Sequence, residues 1–278
     1  MAYTQITYEQ TGRVARLTLN RPEYRNAIGR VMVEELDDAF KRAAEDESVG
    51  VVLLAGAGPH FSAGHDLGTP QKLADDEARP FPAGIAGGFE RGWRMYVEPA
   101  LRWRNLPKPT VAAVQGYCIW GGWQIVAPMD IIFASDDAQF LGSDGQYSSL
   151  PYDVGIRKAK ELLFESRFIS AYEALALGFV NRVLPRAGLI DETLAFCERV
   201  AENDPFRLRI AKQHVNLAQD QMGYTVSVVS GHTKPGEGNG PSGFSLPSGQ
   251  RRIAPVEAAR RNASLARGIW APGSELPY

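Results

Sequence analysis

Residues 108–134, KPTVAAVQGYCIWGGWQIVAPMDIIFA, constrain the fold of this 278-residue chain more than any other stretch. The β-branched run at 110–114 predicts a strand, Gly116 a turn, and Gly121-Gly122 the opening of a helix. A second apolar run at 131–134 predicts another strand. Strand, helix and strand in that order are the pattern of a parallel βαβ unit. The glycine pair falls where the first helical N–H groups lack an intrahelical acceptor. Bare backbone there can bring donors close to an anionic oxygen, or it can simply let a strand and a helix pack closely. Spacing alone leaves both open.

The segments on either side extend this α/β pattern. Residues 6–9 and 14–19, around Thr11-Gly12, predict a β-hairpin. After Asn20-Arg21-Pro22 comes a helix with Met32, Leu36, Ala39, Phe40 and Ala43 on one face and Glu34, Glu35, Asp38 and Lys41 outside. The continuous apolar run at 49–55 predicts a buried parallel strand. The glycine-rich stretch at 56–67 fits the first two positions of a dinucleotide fingerprint, but Phe61 stands at the last one, which argues against nicotinamide binding. Residues 68–88 are polar and rich in Pro and Gly, and are expected to form a mobile loop. In the helix predicted at 89–105, interleaved Trp93, Arg94, Arg102, Trp103 and Arg104 read as a solvated face beside a packed one. A short strand at 138–141 leads into a polar loop at 142–151. Helices are predicted at 157–165, 171–177, 189–201 and 205–218, with an extended piece at 179–184. A flexible Gly/Pro-rich excursion at 231–250 and a last helix at 255–266 complete the chain. The expected division is a core at 1–200 and a C-terminal helical region at 201–278.

Composition narrows the function. A net charge of −2 provides no basic field for nucleic acid. Cys118 and Cys197 lie far apart and outside any CxxC, which argues against a disulfide framework and against a zinc site. The first ten residues lack a signal-peptide pattern, and Pro128 and Asp130 interrupt the best apolar run before it could span a membrane. A cytoplasmic protein with no metal is expected. Gly142-Ser-Asp-Gly145 has the wrong spacing for a nucleophile elbow, which sets a serine hydrolase aside.

Several motifs, taken together and in order, resemble the crotonase superfamily, the enoyl-CoA hydratase/isomerase family. They are NRPEYRNA at 20–27, FSAGHDL at 61–67, KPTVAAVQGY at 108–117 with Gly121-Gly122, DIIFA at 130–134 and AYEALALGFVNRVLP at 171–185. The resemblance covers residues 5–220. It implies a spiral of ββα units with a C-terminal helical region, assembled as a trimer or a pair of trimers. It also implies an acyl-CoA substrate in which coenzyme A is part of the substrate rather than a separate cofactor, and a place in fatty acid metabolism as a lyase or isomerase. The thioester oxygen would lie between the backbone N–H groups of His65 and Gly121, an oxyanion hole for an enolate. Arg25, Ala27, Ala63, Asp66 and Leu67 become the coenzyme A contacts, with Asp66 also suited to bracing its own loop. Trp120, Tyr147 and Tyr152 become the acyl pocket, with packing as the alternative role for each.

The sequence departs from the family where the chemistry sits. Hydratases carry two glutamates; here those positions hold Gln124, which cannot take a proton, and Asp144, which is one methylene shorter. Asp153 is a further carboxylate, with capping of the following helix as its structural alternative. A single acid/base suits double-bond isomerisation. Gln124 and Asp153 also leave open another reaction of the superfamily, thioester or carbon–carbon hydrolysis or decarboxylation, and a weakly active acyl-CoA-binding protein.

Overall fold

Among the described residues, nine strands arrange themselves by the period of their apolar residues. They are β1 (Ile6–Thr11), β2 (Val14–Leu19), β3 (Val51–Gly56), β4 (Thr110–Val114), β5 (Tyr117–Ile119), β6 (Ile131–Ser135), β7 (Gln139–Leu141), β8 (Ile169–Ser170) and β9 (Arg182–Leu184). The larger sheet has the order β1-β2-β3-β4-β6-β9, antiparallel only at the β1–β2 hairpin, and a smaller sheet runs β5-β7-β8. Successive side chains of β3 point to opposite faces. Val52 and Leu54 join the main core with Leu36 and Phe40, whereas Val51, Leu53 and Ala55 pack against Leu189, Cys197 and Ala201. Both faces are covered, which is why this strand reads as an unbroken apolar run.

The helices are α1 (Arg30–Glu45), α2 (Pro70–Ala78), α3 (Gly84–Gly92), α4 (Glu98–Arg104), α5 (Gly121–Val126), α6 (Leu150–Val154), α7 (Ile156–Glu165), α8 (Ala171–Ala176), α9 (Leu189–Ala201), α10 (Pro205–Gln221) and α11 (Tyr224–His232). The computed structural model describes residues 2–142 and 147–232. The excursion expected at 231–250 and the helix expected at 255–266 fall almost wholly outside the described residues, as does Asp144. Among the described residues no helix is long and apolar enough to cross a membrane.

Three local expectations need correction. Most of the loop expected at 68–88 is helical: Thr69 caps α2 by accepting from Lys72 N–H, and Pro70 takes the first helical position. Glu35, expected outside, is buried at the α1 surface, where its carboxylate accepts from Thr4, Gln5 and Ile6 N–H groups. Arg104, expected in solvent, is buried against α10 and α11, donating to Gln219 and Asn216 C=O with its guanidinium over the Tyr224 ring.

Between α3 and α4 the chain stays helical but widens into a π-turn, Trp93–Val97. Glu98 N–H donates to Trp93 C=O, five residues back. Pro99 explains the widening, since it has no N–H and its ring would strike the carbonyl four residues earlier. The wider turn buries Met95, Tyr96 and Val97.

Candidate active site

Two turns of chain meet at the carboxyl ends of β3 and β4, the edge of a parallel sheet where ligands bind. The first turn leaves β3 and is pinned by parallel pairing of Ser62 with Cys118 and of His65 with Ile28. Ile28 N–H donates to Gly64 C=O at 2.8 Å, and Asp66 N–H to Ile28 C=O at 2.9 Å. Extended backbone points alternate amides to opposite sides, so the His65 N–H faces away from Ile28. Among the described residues it has no acceptor. In the second turn, Trp120 N–H donates to Leu141 C=O and Gln124 N–H to Trp120 C=O. The Gly121 N–H between them opens α5 and likewise has no acceptor among the described residues.

The two turns touch. A Cβ on Gly121 would lie 3.2 Å from His65 N and 2.9 Å from His65 Nδ1. One on Gly64 would lie 2.7 Å from Ile119 O and 3.5 Å from Gly121 N, and Gly64 also has a φ of +92°. The close approach of two free amides therefore requires glycine at both positions. Trp120 precedes them with a φ of +43°, a strained value for a residue with a side chain. Its ring packs with Leu141 and Phe168, which holds that backbone in place. Because α5 is only six residues long, its dipole adds little, and the two donors owe their direction to the turns themselves.

A buried polar frame supports the first turn. Arg21 donates to Ala27 C=O at 2.8 Å and to Asp66 Oδ2 at 2.9 Å. The other Asp66 oxygen accepts from Gly68 and Thr69 N–H; burial works to raise its pKa, but the Thr69 hydroxyl at 2.6 Å, the Thr69 N–H, Arg21 and the Gly68 N–H together hold its carboxyl below the usual range. Asn26 accepts from Arg21 N–H and donates to the carbonyls of Ala57, His60 and Phe61. Neither Arg21 nor Asn26 stood out in the sequence beyond its place in the first motif. Of the residues expected to contact coenzyme A, Arg25 and Leu67 are exposed, Ala63 is half-buried, and Ala27 and Asp66 are buried in this frame.

Gly121 and Gln124 share a cavity of about 10 Å³, walled also by Ile28, Met95, Tyr96 and Trp103. The His65 ring lies 4.5 Å from that of Tyr96, and its buried Nδ1 has no partner. Burial, with a smaller contribution from Arg91, pushes the His65 pKa down to about 4. Its imidazole is neutral and weakly basic at physiological pH. Met95 and Tyr96 sat in a stretch that reads as a surface helix; the one signal for the π-turn that presents them is Pro99.

One residue from Gln124, the chain turns to a second set of partners. Trp123 stacks on Phe179 at 4.1 Å and donates from Nε1 to Asp153 Oδ2 at 2.8 Å. Ser149 Oγ donates to the same oxygen at 2.7 Å. Burial raises the Asp153 pKa to about 6, with the two hydrogen bonds opposing it. Asp153 lies within α6 and does not cap the following helix: α7 follows Gly155 with no side-chain cap, because the Asp153 carboxylate is turned to Trp123 and Ser149 instead. Tyr147 pairs through its hydroxyl with Tyr224 at 2.7 Å, and Tyr152 donates to Met222 C=O. Trp120, Tyr147 and Tyr152, expected at the acyl pocket, thus pack outside the small cavity, while Gln124 and Gly121 line it and His65 packs against Gly121 and Tyr96 in its wall.

Residues 9–229 match the sequence model of the enoyl-CoA hydratase/isomerase family. A protein of Mycobacterium tuberculosis described as putative enoyl-CoA hydratase EchA13 is 38% identical over 247 residues, covering 81% of this chain and 78% of its own length. The crystal structure of a probable enoyl-CoA hydratase from Mycobacterium smegmatis superposes with a TM-score of 0.75 at 40% identity, over 83% of this chain and 91% of the other. An enoyl-CoA hydratase/isomerase structure from Xanthobacter autotrophicus superposes with a TM-score of 0.76 at 33% identity, over 83% and 86% of the two chains. With its motifs in family order, its mixed α/β fold shared with these structures and most of its length matched, the chain belongs to the enoyl-CoA hydratase/isomerase family of the crotonase superfamily.

Proposed function

We propose that this protein polarises an acyl-CoA thioester between the His65 and Gly121 amides and hydrates or isomerises the adjacent double bond. The observation that carries this reading is the close approach of two N–H groups that have no acceptor among the described residues, beside a small cavity lined by Gly121 and Gln124. Donors held there in advance stabilise an enolate oxygen without reorganising as charge develops. His65 contributes its backbone; its imidazole is too weakly basic to serve as the base. Gln124 orients water or a polar substrate group. Asp144 is the acid/base, on the strength of its alignment with the family's second glutamate.

Coenzyme A runs over Arg25, Ala27, Ala63, Asp66 and Leu67, where Arg25 is the exposed cation near the turn. The exposed apolar side chains of α10, Phe206, Val215 and Leu217, support assembly as a trimer or hexamer. The variant Asp144→Asn tests the acid/base assignment: turnover is lost while acyl-CoA affinity stays within a few-fold. Unchanged turnover refutes it.

One observation favours a second reading. Gln124 stands where hydratases have a glutamate, and Asp153 holds a raised pKa next to Trp123. Thioester or carbon–carbon hydrolysis through the same oxyanion hole is then the alternative, recognised by release of free coenzyme A or of a shortened acyl product.

A further inference from the structure

The cavity behind Gly121 and Gln124 shares a wall with another. Val33 on α1 and Met95 on the π-turn, 3% and 6% exposed, line it and also line a larger cavity of about 490 Å³. The two chambers differ in kind. Beyond the wall stand four arginines and four carboxylates, with Phe81 and three prolines. Three pairs form within the wall, Arg79 with Glu34 at 2.9 Å, Arg102 with Asp37 at 2.8 Å and Arg94 with Glu90 at 3.2 Å; Glu98 also reaches Arg102 at 3.3 Å, and Arg30 pairs outside the wall with Asp75.

The wall has one stiff side and one soft side. Val33 is β-branched and set in a sixteen-residue helix, whereas Met95 is unbranched and turns about three bonds. At about 10 Å³ the inner chamber has room for hardly more than one water. An acyl group that extends past the reacting carbons and displaces Met95 enters the outer chamber. There a bare alkyl tail would strip water from the ion pairs and return no hydrogen bond, which is costly. A tail ending in a hydroxyl or carbonyl returns the bond. Because the wall's charges balance, a neutral polar end fits better than an ionic one.

We propose that Met95 gates acyl length and that the substrate is a medium-chain acyl-CoA with a neutral hydrogen-bonding group at its far end, seated near Glu34 and Asp37. The inference rests on the acyl-CoA reading above, and its test separates the two. Calorimetric binding to the full chain is measured with butanoyl-, octanoyl- and 8-hydroxyoctanoyl-CoA, saturated ligands that need no chemistry. The hydroxylated ligand is expected to bind about tenfold more tightly than octanoyl-CoA. Met95→Phe should weaken both eight-carbon ligands relative to butanoyl-CoA by about tenfold. Glu34→Leu, at a half-exposed site, should bring the two eight-carbon ligands close to equal affinity. Octanoyl-CoA binding as tightly as its hydroxylated form, or a Met95→Phe effect equal on all three ligands, overturns the proposal. Failure of all three to bind overturns it too, and identifies the acyl-CoA reading as the part that failed.

Discussion

Gly121→Ala puts the proposed oxyanion hole to a direct trial. The added methyl would lie 2.9 Å from His65 Nδ1 and 3.2 Å from His65 N, so the neighbouring turn must give by a few tenths of an ångström. His65 Nδ1 can swing aside, but the amide belongs to a turn pinned at Ile28 and Asp66. The retreat therefore moves one donor, while the methyl crowds the space between the two. Loss of one such donor costs about 10²–10³ in kcat, or ~2.7–4 kcal/mol. Gly121 lies in the first turn of α5 without a positive φ, so the backbone accepts alanine and helix propensity favours it by up to ~1 kcal/mol, against about 1–3 kcal/mol for crowding the buried His65 turn. The expected result is a kcat reduced by about a hundredfold or more and a KM within a few-fold, from a protein that still melts cooperatively with a Tm lowered by no more than a few degrees. Steady-state kinetics with an enoyl-CoA and a thermal melt suffice. A kcat within about threefold of the parent would refute the geometry claimed for these amides.

Other consequences follow from the frame around the site. Arg21→Lys loses the fork that reaches Ala27 C=O and Asp66 together, so kcat should fall by about 10–100-fold in steady-state assays because the His65 turn is misplaced. Asp153, whose pKa is raised to about 6, binds protons more readily folded than unfolded, so its charge costs stability as pH rises from about 4 to 6. Relative to the parent, Asp153→Asn should gain on the order of 2–3 kcal/mol between pH 4 and pH 7.5, measured by urea denaturation at each pH. Glu35→Ala strands the N–H groups of Thr4, Gln5 and Ile6 and should cost about 2–4 kcal/mol in the same assay.

How far the sequence reaches can be seen in particular residues. The β4–α5–β6 unit was legible because β-branched runs and a glycine pair encode it locally. Family order then placed His65, Gly121 and Gln124 beside one another, which no local pattern could do. Arg21, Asn26 and Arg104 were not legible, because a single sequence does not distinguish a buried cation or amide with distant partners from a solvated one. The buried Glu35 is the same case in reverse charge. The α2 helix was missed for a different reason: Pro and Gly dominate the composition of 68–88, but Thr69-Pro70 is a helix start. Met95 and Tyr96 reach the cavity only because Pro99 forces a π-turn, a three-dimensional consequence of one residue.

The most direct trial of the account is incubation of the purified protein with a panel of 2-enoyl- and 3-enoyl-CoA thioesters, followed by mass spectrometry. A thioester held by the His65 and Gly121 amides, with Asp144 moving the proton, predicts gain of one water or migration of the double bond at unchanged mass. Release of free coenzyme A as the main product would contradict it in favour of hydrolysis, and tight binding with every thioester recovered intact would contradict catalysis altogether.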